Sequence, residues 1–132
     1  AVNYRFRQDP GHFNSLGRMR INFPSPDGVY MHDTPEKNLF GDDFRFASSG
    51  CMRVQNVREL VYWILGKTPG WSPQQIDAVI QSGARTDANV AKPIPLHWVY
   101  ITAWATSDGV VHFRDDIYNR DGVGAQANVM KG

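Results

Sequence analysis

Cys51 is the only cysteine among 132 residues. A lone cysteine excludes an internal disulfide and any Cys-cluster zinc site. Two roles remain, a small buried hydrophobe or a reactive thiol. Ser48-Ser49-Gly50 precede it, and Met52-Arg53-Val54 follow. Gly50 permits a tight backbone and close approach of a substrate. Backbone N–H groups at Gly50 and Cys51 are then placed to hold a developing oxyanion. Arg53 adds positive potential that favours the thiolate. The competing reading is a thiol that only fills space, because free cysteines are usually buried.

A thiol nucleophile needs a base within hydrogen-bond reach. The chain offers His12, His32, His97 and His112. His32 stands nineteen residues before Cys51, and a loop of that length can bring the two together. His97 and His112 follow the cysteine, the Cys-then-His order of papain-type and NlpC/P60-type peptidases. For His12, His97 and His112 a structural role is the simpler reading. No two histidines have the close spacing of a metal motif, so neither a metal nor a cofactor is expected. Asp42-Asp43 and Asp115-Asp116 fall in loops and read as solvated turns. The tryptophans, Trp63, Trp71, Trp98 and Trp104, read as core, with Trp71 the best exception.

These groups need elements to position them. Arg18 to Phe23 alternates, with Met19, Ile21 and Phe23 on one face, as in a half-buried strand. Pro24 to Gly28 is a turn cluster, and Val29 to His32 returns as the second strand of a hairpin. Asp33-Thr34-Pro35 ends regular pairing, and Glu36 to Gly50 reads as a loop. Apolar residues at 54, 57, 60, 61, 64 and 65 have helical spacing. Asn56 with Glu59 resembles a capping pair, and Gly66 closes the helix. Ser72-Pro73-Gln74-Gln75 starts a second helix, which ends near Gly83. Pro95 to Ala105 is apolar on both faces and predicts a central strand. Ser107-Asp108-Gly109 turns it into a partner over Val110 to Arg114, and the tail from Asp115 reads as loop. The expected fold class is mainly β, with two short helices inserted between hairpins.

Composition narrows the partners. Lys plus Arg is 14 and Asp plus Glu is 13, a net charge of +1. That balance argues against nucleic acid and against a polybasic membrane-surface segment. Hydrophobic residues at 42% are enough for a packed core. No apolar run approaches the roughly 20 residues of a membrane-spanning helix. No signal-peptide pattern is present, so any export signal is expected to have been removed or to lie outside these residues.

Several separated motifs resemble one family. Val29-Tyr30-Met31-His32-Asp33-Thr34-Pro35, Leu39-Phe40, Arg45 and Ser48-Ser49-Gly50-Cys51-Met52-Arg53-Val54 look like the signature of the YkuD-domain L,D-transpeptidases. The His-Asp-Thr-Pro stretch resembles the larger, periplasmic YcbB-like branch. Gln8-Asp9-Pro10-Gly11, Asn14, Leu16-Gly17, Phe113 and Asp116-Ile117-Tyr118 resemble that branch too. The resemblance covers nearly the whole chain, most strongly residues 8 to 60.

The resemblance implies a β-rich mixed sheet or sandwich of the L,D-transpeptidase type. It implies that residues 1–132 are a catalytic domain lacking its N-terminal part. Cys51 would attack the third stem residue of a peptidoglycan tetrapeptide, release D-alanine and hold a thioester. An amine on a neighbouring stem would then form a 3→3 cross-link. His32 would be the base, with the Asp33 backbone carbonyl orienting its ring. Gly50 and Cys51 amides would hold the oxyanion, and Tyr30, Ser48, Ser49 and Arg53 would border or support the site. Ser49 stands where many members carry a second histidine, which leaves His32 as the base. The implied partners are the donor tetrapeptide, an amine acceptor and carbapenem-type β-lactams as inhibitors, in a bacterial periplasm or cell envelope. A lone thiol suits an oxidising compartment, having no second cysteine in the chain to pair with. Two other readings stay open. One is a cysteine peptidase or amidase pairing Cys51 with His97 or His112. The other is a non-catalytic peptidoglycan-binding module with a buried thiol.

Overall fold

A computed structural model describes residues 3–48 and 50–122. They form two compact units, divided between Ile94 and Pro95.

The first unit opens with a turn tied by Asn14. Its side-chain amide donates to the carbonyls of Gln8 and Asp9, and its Oδ1 accepts the Leu16 N–H at 2.8 Å. The predicted hairpin follows. Strand β1 is Arg20–Ile21 and β2 is Met31–His32, antiparallel, with Arg20 opposite His32. The expected alternation holds, with Met19, Ile21 and Phe23 half-buried and Arg18, Arg20 and Asn22 exposed. Gly28 takes φ 66° to close the turn, donating its N–H to Ser25 O. Strand β3, Met52–Arg53, then pairs parallel to β2, so the sheet order is β1-β2-β3.

The stretch between β2 and β3 is more ordered than the loop expected from sequence. It holds a 3-10 helix over Lys37–Gly41. Helix α1 spans Val57–Leu65 and α2 spans Pro73–Ser82. These helices carry the buried apolar residues among those described, Val57, Leu65 and Ile76. Helix α2 begins as predicted. Ser72 and Gln75 exchange side-chain-to-backbone bonds, Pro73 follows the cap, and Gly83 ends the helix at φ 67°. Helix α1 begins at the expected residue for a different reason. Asn56 stands at the N-cap with φ 54° and makes no side-chain cap bond. A capping side chain needs an extended N-cap backbone, whereas asparagine tolerates the left-handed region found here. Gly66 closes the helix as expected, donating its N–H to Trp63 O while staying right-handed at φ −58°.

The second unit is a hairpin of β4, Ala103–Ala105, and β5, Val111–Phe113. Its turn is the one expected, with Gly109 at φ 83° and Thr106 N–H donating to Val110 O at 2.9 Å. The long central strand is not observed. Only three residues of 95–105 pair, and Val99 is 74% exposed. Extended geometry suits this sequence, but a strand needs partners along its edges, and β5 supplies them for three residues only. The expectation of core tryptophans also fails, with Trp63, Trp98 and Trp104 all exposed. Trp63 lies off the apolar stripe of α1, and Trp104 stacks on His112 across the hairpin. The predicted loop holds from Asp115 to Gly122, and the rest of the tail lies outside the described residues.

Candidate active site

The parallel register of β2 and β3 builds the site. Met31 pairs with Met52 and His32 with Arg53. Met52 N–H donates to Tyr30 O at 2.9 Å, so the pairing continues back to Tyr30 beside Cys51. Side chains alternate along a strand, and neighbours in register share a face. Tyr30, His32, Cys51 and Arg53 therefore stand on one face. The antiparallel pair with His32 adds Arg20 to it, and the Arg20 guanidinium lies 5.0 Å from the Tyr30 ring centre.

His32 is 5% exposed. Its Nδ1 lies 2.5 Å from the Asp33 carbonyl oxygen. A carbonyl can only accept, so the proton sits on Nδ1 and the Nε2 lone pair is left for chemistry. The Tyr30 ring lies 5.9 Å from the His32 ring. The Tyr30 hydroxyl interacts with the Cys51 thiol. That interaction and burial raise the phenol above its ordinary value, against a smaller opposing pull from Arg20. Cys51 itself is half-buried.

The motif before Cys51 is braced by Ser48. Its hydroxyl donates to the Cys51 carbonyl and accepts the Gly50 N–H at 3.2 Å. The Gly50 amide, expected to face an oxyanion, is thus turned to Ser48. Gly50 has φ 138°, which side-chain-bearing residues rarely adopt. Space is not the constraint, since an added Cβ would lie 3.8 Å from its nearest neighbour on Val29. Ser49 lies outside the described residues. Arg53 was expected to act on the thiol with its charge. Its Nη1 is buried and meets Glu36 Oε2 at 2.9 Å, an ion pair without hydrogen-bond geometry that neutralises much of that charge.

The Asp33 side chain leaves this face. With Arg18, Met19 and Lys37 it lines a cavity of about 430 Å³. Its Oδ2 accepts the Arg18 N–H at 3.0 Å, and Lys37 Nζ meets Oδ1 at 2.5 Å. Burial raises this carboxyl. The Lys37 ammonium and the Arg18 and Thr34 N–H groups outweigh burial and hold it below the ordinary value.

These features, a glycine-preceded cysteine after an upstream histidine on adjoining strands, agree with a family match. The model of the L,D-transpeptidase catalytic domain, YkuD, matches residues 1–80. The chain belongs to the YkuD L,D-transpeptidase catalytic domain family. A Haemophilus influenzae protein, provisionally named an L,D-transpeptidase, is 38% identical over 118 residues. That alignment covers 89% of this chain and 24% of the relative, so the chain spans about a quarter of the relative's length. The observed strands, loops and two helices agree with a β-rich YkuD fold.

Two of the other histidines have aromatic partners. His112 stacks on Trp104 with ring centres 5.4 Å apart, and His12 packs on Phe13. Asp116 anchors a turn, accepting from Tyr100 Oη and from the N–H groups of Arg120 and Asp121. Among the described residues no three His, Cys, Asp or Glu side chains are grouped to hold a metal ion. No helix among them is long and apolar enough to cross a membrane. Sequence reading overlooked Arg20 and Lys37. Arg20 was assigned only to the solvent face of a strand. The register that makes it a neighbour of His32 joins distant residues and leaves no local signal.

Proposed function

We propose that the chain is the catalytic portion of a cysteine acyl-transferase that cross-links peptidoglycan, of the YcbB-like branch. The observation that carries this reading is the shared face of Tyr30, His32 and Cys51, with the His32 proton held on Nδ1. His32 Nε2 takes the proton from Cys51 Sγ. The sulfur attacks the carbonyl carbon of the third residue of a tetrapeptide stem. The Cys51 N–H and the Tyr30 hydroxyl stabilise the oxyanion. The C–N bond to D-alanine breaks, and His32 returns the proton to the departing amine. A thioester remains. A side-chain amine of a neighbouring stem attacks it and loses its proton to His32. The thiol is then released and a 3→3 link is made. Carbapenems enter as acylating mimics of the donor. The three-stranded sheet is one layer of a β sandwich, and the protein works in the bacterial periplasm.

Incubation with purified disaccharide-tetrapeptide, followed by mass analysis, tests this reading. The expected products are free D-alanine and a cross-linked dimer, with an acyl adduct on Cys51 as the intermediate. Cys51→Ala must abolish all three. Peptide cleavage without any Cys51 adduct would overturn the proposal.

A further inference from the structure

We propose that the turn formed by residues 8–18 is a positioning element for His32, acting through the side chain of Asp33. The proposal rests on the reading of His32 as the base. Asp33 is held at three points. Its N–H donates to Met19 O at 2.9 Å, Oδ2 accepts the Arg18 N–H at 3.0 Å, and Oδ1 meets Lys37 Nζ at 2.5 Å. Its carbonyl oxygen receives the His32 Nδ1 proton. Fixing the Asp33 peptide therefore fixes the ring and its tautomer.

The turn is shaped to make these contacts. Gly11 N–H donates to Gly17 O at 3.1 Å, Gly17 N–H to Asn14 O at 2.7 Å, and Asn14 ties the centre. Gly17 adopts φ 62° and packs against the Asp33 side chain. A Cβ there would lie 2.4 Å from Asp33 Oδ2 and 2.6 Å from Asp33 Cβ. Any larger residue would push the carboxylate from the Arg18 amide. The Asp33 carboxylate faces the cavity with Lys37, away from Cys51, so its route to the chemistry is its own carbonyl.

The test is 15N NMR of the His32 ring combined with carbapenem acylation rates across pH. The wild-type protein should show a single Nδ1–H tautomer. Asp33→Ala and Gly17→Ala should each give mixed tautomers and slow acylation by about tenfold or more, because a misaligned base loses its near-attack geometry. Asp33→Asn keeps an acceptor for the Arg18 N–H but gives up the Lys37 ion pair, and should fall between wild type and Asp33→Ala. Gly17→Ala added to Asp33→Ala should shift the tautomers no further, since the two share one contact. Lys37→Met alters an exposed side chain and should shift them in the same direction, which covers the case in which Asp33→Ala does not fold. An unchanged His32 tautomer in folded Asp33→Ala, or otherwise in Lys37→Met, overturns the proposal. A wild-type protein that takes up no carbapenem and no tetrapeptide counts against the proposed function instead, and the tautomers still decide the positioning role.

Discussion

Tyr30→Phe separates a catalytic hydroxyl from a structural ring. The substitution removes one oxygen, the one that interacts with the Cys51 thiol. It keeps the ring that Arg20 covers at 5.0 Å and that neighbours His32. If the hydroxyl only braces the thiol, its loss costs about one ordinary hydrogen bond, 0.5–1.5 kcal/mol of stability, with little effect on the chemical step. If it donates to the oxyanion, the loss falls on the transition state, about 3–4 kcal/mol or a hundred- to thousandfold in acylation rate. The two outcomes differ enough to be told apart. The raised Tyr30 value keeps the phenol protonated at neutral and mildly alkaline pH, so the donor is present wherever the rate is measured. Stopped-flow or mass-resolved acylation by a carbapenem supplies the rate, and urea unfolding supplies the stability. We expect the large rate loss with a small stability change. A rate within about threefold of wild type, beside a normal hydrogen-bond loss in stability, would refute the oxyanion role.

Four further outcomes are expected. Gly50→Ala forces a side-chain-bearing residue to φ 138° and should destabilise by about 1–3 kcal/mol, read by urea unfolding. Ser72→Ala removes the cap of α2 and should cost about 1 kcal/mol, seen as a fall in Tm with acylation unchanged. Leu65→Ala empties part of a small core and should cost about 2–5 kcal/mol, enough to leave much of the first unit unfolded by circular dichroism. Asp33 gives the pH dependence. Its folded value lies below the ordinary 3.8, so it stabilises the fold above that pH and loses the contribution as pH falls through the lower folded value. The urea midpoint of Asp33→Asn should therefore fall less steeply with acid than that of wild type.

Local signals carried the first hairpin and both helices. The Met19–Ile21–Phe23 alternation, the Pro24–Gly28 turn and the Ser72–Gln75 cap each report on a few consecutive residues. The misreadings arose where one local pattern fits two structures. An asparagine before a helix suits a cap or a left-handed turn, and Asn56 is the latter. An apolar run such as residues 95–105 is compatible with a central strand only if neighbours exist on both edges. Periodicity cannot report whether they do, and here β5 pairs with three of those residues.

The site divides in the same way. Cys51 and His32 stand out by residue type and by the motifs around them. Their relation depends on β2 and β3 running parallel, and a parallel pair requires a long crossover that no short motif encodes. Residues 33 to 51 make that crossover and contain the 3-10 helix that reads as loop. Its start carries Lys37 to the Asp33 carboxylate and Glu36 to Arg53. One connection thus brings the nucleophile beside the base, anchors Asp33 and offsets the Arg53 charge expected to act on the thiol. The Arg53 pair was missed because its partner Glu36 lies seventeen residues away. Arg20 was missed because its face is defined only after β1 pairs with β2. Charge at this site follows from strand register, which brings together residues far apart in the linear sequence.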